Sequence, residues 1–201
     1  MKKYILTVEA LSPVHLGAGK SDVIIDAETA HDEFGMPYFP AKRLKGLLYE
    51  SALELAEMSN ESSFTIAELK HLFGQDEKGI AAFNLGNLYL PDYMARRDGW
   101  EYLFKEYEGL FNKNNVLENY TELRFQTKID PKTGTAMDGS LHNIRLVNSG
   151  TKFTAELELL EDTVQNEKIL ELACLNLRYA GAKRNRGCGH VRLTLTLGGE
   201  A

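Results

Sequence analysis

Residues 151–197 read "TKFTAELELLEDTVQNEKILELACLNLRYAGAKRNRGCGHVRLTLTL". The first ten alternate, with Thr151, Phe153, Ala155, Leu157 and Leu159 opposite Lys152, Thr154, Glu156 and Glu158, which predicts a strand buried on one face. Asp162 or Thr163 can then cap a helix whose apolar positions Ile169, Leu172/Ala173, Leu177 and Ala180 recur at helical spacing. Gly181 is placed as the glycine that ends it. A glycine-rich basic loop follows, and "HVRLTLTL" closes the unit as a strand with Val191, Leu193, Leu195 and Leu197 toward the core. The segment is therefore one β-α-β unit with an unusual loop before its last strand.

Working outward, residues 3–10 alternate around Tyr4, Leu6 and Val8 and predict a first strand. A long loop spans Leu11 to Pro40, broken by Pro13, Gly17, Gly19, Gly35 and Pro37. Pro40 then opens "AKRLKGLLYESALELAEM", with Leu44, Leu47/Leu48, Ala52, Leu55 and Ala56 on one helical face. Residues 59–83 read as an insertion with a short helix near 65–73, and "NLGNLYLPD" (84–92) as a short strand ended by Pro91. A helix over 99–112 would use Trp100, Leu103, Phe104 and Tyr107. Residues 120–147 form two extended arms around a polar tip with Asp130, Pro131, Gly134 and Gly139. The order β, long loop, α, β, excursion, β, α, β predicts an α+β fold, a ferredoxin-like (RRM-like) βαββαβ palm with a hairpin and inserted helices.

Composition bounds what such a domain does. The chain has 201 residues, 43% of them hydrophobic and 26% charged, enough for one domain with a substantial core. No apolar run approaches the roughly 20 residues that span a bilayer. The N-terminus alternates like a strand rather than running apolar like a signal peptide. Cys174 and Cys188 make neither a disulfide framework nor a CxxC site, so a cytoplasmic protein is expected. Acidic side chains outnumber basic ones, 29 to 23, giving a net charge of −6 and arguing against indiscriminate nucleic-acid binding.

Against that background, "GAKRNRGCGH" (181–190) stands out, since Lys183, Arg184 and Arg186 have no acid beside them. Its glycines let backbone amides approach an anion and its cations supply charge, although cations after a helix are also mildly favourable for stability alone. It is no Walker loop, because the GxxxxGK[ST] order is missing. A second basic site, "PAKRLKG", puts Lys42, Arg43 and Lys45 in the first turn of a helix, where the macrodipole disfavours them unless an anion docks there. Two such sites far apart in sequence point to a polyanion. The long loop adds His15, Asp22, Asp26, Glu28, His31 and Asp32; the histidines suit acid–base work on RNA, and an aspartate suits a Mg²⁺ ion or a ribose hydroxyl. Taken singly, each of these six reads first as a bystander. His71, His142 and Cys174 read as structural, and no HxxH, HExxH or GxSxG spacing indicates a metal site or a hydrolase.

Four segments in this order resemble the RAMP superfamily of CRISPR-associated RNA-binding proteins: "LSPVHLGAG" (11–19), "GMPYFPAKRLKGLL" (35–48), "YTELRFQTKID" (120–130) and "YAGAKRNRGCGHVRL" (179–193). The likeness is strongest to the repeated backbone subunit of type III (Csm/Cmr) effector complexes. Lys42 and Arg43 stand where that family usually has small polar residues, and Pro131 replaces its Arg after Asp130. The resemblance implies a single domain over 1–201, with a palm at 1–58, 84–92 and 150–201, an inserted segment at 59–83, and a helical and thumb insertion at 93–149. It implies that guide RNA is gripped by His15, Lys42, Arg43, Lys45, Arg124, Lys183, Arg184 and Arg186, and that a thumb around Met137 wedges into the guide–target duplex. Cleavage of target RNA would fall to Asp26, with Asp22 as the fallback, aided by a divalent metal, Mg²⁺ or Mn²⁺. Implied partners are guide RNA, target RNA and other effector subunits in a homo- or hetero-oligomeric filament, with no membrane. Two alternatives stay open: a related subunit that binds RNA without cutting it, and a guide-processing endoribonuclease using His15 or His31, against which the thumb segment counts.

Overall fold

The computed structural model describes residues 1–18, 25–58 and 64–198. Gly19 and Asp22, named above, lie outside the described residues. The fold is mixed α+β with antiparallel sheets, and its centre is a four-stranded sheet in the order β2-β5-β1-β6. Strand β1 (Lys2–Ala10) pairs with β5 (Lys152–Leu159) on one side and β6 (Val191–Leu197) on the other, while β2 (Phe83–Leu85) adds to the far edge of β5. The register sets Leu6 opposite Ala155 and Leu195, and Val8 opposite Phe153 and Leu193. One pleat face is therefore apolar, and α1 (Ala41–Met58) and α5 (Val164–Asn176) pack together in the core that it builds.

Both helices bury a stripe. Leu44, Leu47, Leu48 and Ala52 of α1 are buried, as are Ile169, Leu170, Ala173 and Cys174 of α5. Removing each such leucine from water contributes about 1.5–3 kcal/mol. Phe39 meets Phe153 edge-on at 6.3 Å and Phe73 meets Phe83 at 5.3 Å, filling the core between sheet and helices. Helix α2 (Ile66–Phe73) closes the flank through Leu69, Leu72 and Phe73, and Thr65 and Glu68 form its capping box. The second sheet is a hairpin of β3 (Thr121–Gln126) and β4 (His142–Val147), with residues 127–141 as its tip.

Several expectations need correction. Helix α5 stops at Asn176, not at Gly181, while its start is capped by Thr163, one of the two residues expected there. Asn176 donates to Ser51 O, Ser51 Oγ and Glu54 Oε2 at 3.1–3.2 Å, which ties the helix end to α1 and frees the next residues to run extended. Gly181, at φ 79°, is needed for close approach instead: a Cβ there would sit 2.4 Å from the carbonyl oxygen of His15. Leu197 is exposed at the end of the edge strand. The segment 84–92 is a three-residue strand starting at Phe83 followed by single bridges, Phe39 to Leu88 and Tyr89 to Thr154. The helix placed at 99–112 is α3 (Tyr93–Glu106), and a further helix, α4 (Lys113–Tyr120), follows it.

Candidate nucleic-acid interface

The first long loop is pinned rather than loose where it is described. Val14 bridges Val147, His15 bridges Ala182 and Ala27 bridges Ile144, so the loop is clamped between the hairpin and the glycine-rich loop. The clamp centres on Arg145. Its Nε donates to Glu28 at 3.0 Å, its Nη1 to Thr121 Oγ1 at 3.1 Å, and its backbone amide to the Ala27 carbonyl at 3.0 Å. Its carbonyl oxygen accepts from His15 Nδ1 at 3.0 Å. The Arg145 and Glu28 side chains are only 7% and 9% exposed, so each neutralises a charge that the other could not leave unpaired.

That clamp presents Asp26. Its backbone amide donates to Asn143 Oδ1, and its Oδ2 accepts from the Asn143 amide, both at 2.9 Å, while the residue stays exposed. The carboxylate is thus held at the rim of β4 and open to solvent. It lines a cleft of about 550 Å³ with His15, Glu28, Arg43, Leu47 and Arg184. Residues from three distant segments meet there, the first loop, α1 and the glycine-rich loop, and the clamp ties the first of them to β4.

The cleft is electropositive at its mouth. Among the described residues no carboxylate lies within ion-pair distance of Arg43, Lys183 or Arg184, whereas Glu28 is neutralised by Arg145. Lys183 is held at φ 62°, a left-handed conformation unusual outside glycine, and leads into a single 3-10 turn, Arg184–Arg186. Burial pushes the His15 imidazole below its ordinary range, and Arg43 and Lys183 press it further down. Because the Arg145 carbonyl can only accept, Nδ1 carries the proton and Nε2 is the free acceptor. At neutral pH His15 is therefore a neutral acceptor in the cleft, not a cation gripping phosphate.

The remaining candidates are spread around this centre. Helical spacing turns Arg43 and Leu47 into the cleft, but sends Lys42 and Lys45 to a separate hollow lined by Tyr49, Phe73 and Gln75. Lys45 Nζ sits 5.2 Å from the Phe83 ring centre, and burial holds its ammonium below the usual lysine range. The α1 amide of Ala41 is taken by Asn87 Oδ1 at 2.9 Å, so it is not left for an anion. Arg124 donates to Cys188 Sγ at 3.1 Å and to Glu122 at 3.0 Å, joining hairpin to glycine-rich loop. Arg186 is exposed beyond the cleft. Met137 is 42% exposed on the hairpin tip, where Ile129 and Leu141 are exposed as well.

Asp32 holds structure: its carboxylate takes the amides of Phe34 and Met36 and the hydroxyl of Tyr93, and His31 turns to the Asp32 carbonyl. His71 bridges Asp76 and Glu161, and His142 bonds the Ser140 carbonyl. Sequence reasoning missed the roles of Arg145 and Asn143. A signal existed in "HNIRLV", where a lone arginine interrupts an apolar strand and calls for a buried acid. Among the described residues no three His, Cys, Asp or Glu side chains gather as a metal cluster.

The family model described as "RAMPs: RAMP superfamily" matches residues 7–192. The chain belongs to the RAMP superfamily. It is also 26% identical over 200 residues to "CRISPR system Cms endoribonuclease Csm3" of Methanocaldococcus jannaschii, covering 92% of this chain and 75% of that protein. Two solved structures share the fold at a TM-score of 0.70 and 15% identity. One is a chain of the type III-B Cmr-beta complex bound to cognate target RNA, with 97% of each chain covered. The other is from the same complex in its apo state, covering 96% of this chain and 97% of that one. In this RAMP chain, no helix among the described residues is long and apolar enough to cross a membrane.

Proposed function

We propose that this RAMP protein is a guide-RNA-binding backbone subunit of a type III CRISPR effector complex, and that it cuts bound target RNA at regular intervals through Asp26. One observation carries the reading: a single cleft joins an exposed, backbone-anchored carboxylate to unpaired cations from α1 and the glycine-rich loop. Membership of the superfamily, the Csm3 relative named as an endoribonuclease, and the Cmr-beta fold matches support it. The partners are then guide RNA, target RNA and neighbouring effector subunits.

The strand order β2-β5-β1-β6, with a helical crossover between β1 and β2 and another between β5 and β6, supports a ferredoxin-like palm. On this reading the palm is 1–58, 84–92 and 150–201, with an insertion at 59–83 and a helical and thumb insertion at 93–149, all in one domain. Ile129, Met137 and Leu141 on the hairpin tip suit an apolar wedge that unstacks a base step.

In the mechanism, Arg43, Lys183 and Arg184 hold the RNA backbone, and Arg186 and Arg124 extend that grip along the loop and the hairpin. The Asn143 amide orients the Asp26 carboxylate, and Arg145 fixes the loop behind it. His15 Nε2 accepts a hydrogen bond within the cleft, a role open to a 2′-hydroxyl. Among the described residues the cleft offers Asp26 as its exposed carboxylate, so Asp26 would be the residue to hold a Mg²⁺ or Mn²⁺ ion. Such an ion would supply charge neutralisation at the phosphate.

The test is a salt titration of single-stranded RNA binding. Replacing Lys183, Arg184 and Arg186 with Ala should weaken binding to all sequences and flatten the log–log salt slope by about one unit for each phosphate no longer neutralised. Arg43→Ala should act in the same direction. An unchanged slope would remove the cleft as the RNA grip.

A further inference from the structure

The cleft does not end at Arg184. A second hollow of about 500 Å³ continues from it, sharing Leu47 and Arg184 and lined further on by Glu50, Glu54, Arg178 and Tyr179. Positions 43, 47, 50 and 54 follow helical spacing, so one stripe of α1 floors the whole groove. That stripe changes character along its length. It begins with Arg43, passes Leu47, and ends with two carboxylates, Glu50 and Glu54.

Tyr179 forms the opposite wall of this extension. The ring is 47% exposed although its neighbours Leu177 and Ala180 are buried. It is backed by the imidazole of His190, with ring centres 5.2 Å apart and planes inclined by 28°. The backbone beneath is fixed: Tyr179 bridges His190, the Val191 amide donates to the Arg178 carbonyl, and the Ala180 amide donates to the Gly189 carbonyl. An aromatic ring held flat on one face and open on the other is a surface on which a planar group stacks at little ordering cost.

We propose that Tyr179 is a stacking platform for a nucleobase of the RNA strand whose phosphate Arg184 holds, a role that rests on the reading of the cleft as an RNA groove. The charge gradient decides which part of the nucleotide enters. In the extension Glu50 and Glu54 outnumber the one further cation, Arg178, whereas Arg43 and Arg184 stand together at the other end, so the backbone stays at the Arg43–Arg184 end and the base turns into the extension. There Leu47 and Tyr179 offer apolar and π surface, and the carboxylates accept from exocyclic amino groups. Stacking of this kind is tolerant of base identity, as a subunit serving varied guides requires.

The experiment uses the full chain and two fluorescein-labelled probes, an oligoadenylate and an abasic oligomer of the same length and charge. Tyr179→Ala should lower affinity for the oligoadenylate on the order of tenfold and leave the abasic probe unaffected, because only the former has bases to stack. Tyr179→Phe should bind like wild type, which separates stacking from the hydroxyl and from misfolding. The salt slope should not change, since every cation that faces phosphate is still in place. Equal losses on both probes, or no loss on either, would overturn the platform. So would an affinity loss tracking a change in oligomeric state, because the ring would then be a contact between protein subunits. Wild-type protein that binds neither probe would instead sink the underlying reading of the cleft.

Discussion

At the scale of single residues, Arg145 organises the site without lining it. Its guanidinium serves Glu28 and Thr121, and its backbone serves Ala27 and His15, so one residue of β4 holds both sides of the loop that carries Asp26. Truncating it leaves the buried Glu28 carboxylate with the Thr29 amide but no counter-charge, a loss of about 3–5 kcal/mol for a pair this secluded. Arg145→Ala should therefore lower the urea midpoint strongly. The double variant Glu28→Gln, Arg145→Met should recover much of that stability, because no lone charge remains buried. If Arg145→Ala unfolds at the wild-type midpoint, the clamp is not what orders the loop. Arg145 also shows what a sequence conceals. In the sequence, Lys183, Arg184 and Arg186 in a loop and Lys42, Arg43 and Lys45 in the first turn of a helix draw notice as cations with no acid beside them, and Asp26 is singled out only through the family resemblance. The meaning of Arg145, by contrast, depends on an acid 117 positions away.

At the scale of elements, legibility followed burial. Strands β1, β5 and β6 and helices α1 and α5 alternate or repeat cleanly because each has one face in the core. Helix α3 has no fully buried residue, so its apolar positions carry no strong period, and it begins after Pro91 at Asp92, a non-glycine residue at φ 56°. Helix α4 opens on Asn112 with Asn115 completing its capping box, in an asparagine-rich stretch that reads as loop. The attachment of α2 makes a pH prediction. His71, at the end of that helix, bonds Asp76 at 3.0 Å and Glu161 at 2.8 Å, and these carboxylates raise its imidazole above the ordinary value of 6.5. A raised folded-state value means that the stabilisation is complete below the unfolded value and disappears as pH climbs through the folded one. Melting temperatures should show His71→Gln well below wild type at mildly acidic pH, with the gap closing on the alkaline side. A gap independent of pH would mean that these bonds matter only as neutral hydrogen bonds.

At the scale of the whole molecule, charge is segregated. The net charge is −6, and on the outer face of the central sheet Glu9 pairs with Arg192 and Glu156 with Lys3. The cleft, by contrast, is lined by Arg43 and Arg184, which among the described residues meet no carboxylate within ion-pair distance. An acidic body with one basic groove favours a strand that threads the groove over RNA met at random. The cleft is lined by the first loop, α1 and the glycine-rich loop, and Ala27, Ile144, Leu146 and Cys188 pack together where the first loop and the glycine-rich loop meet the hairpin. Cleavage is the central claim, and end-labelled target RNA incubated with the assembled complex tests it most directly. Wild-type complex should cut at a fixed spacing in the presence of a divalent cation. Complex built with Asp26→Ala should not cut, yet should bind guide and target as wild type does, because the carboxylate acts on the transition state and not on ground-state binding. Full cutting by the Asp26→Ala complex would contradict the account.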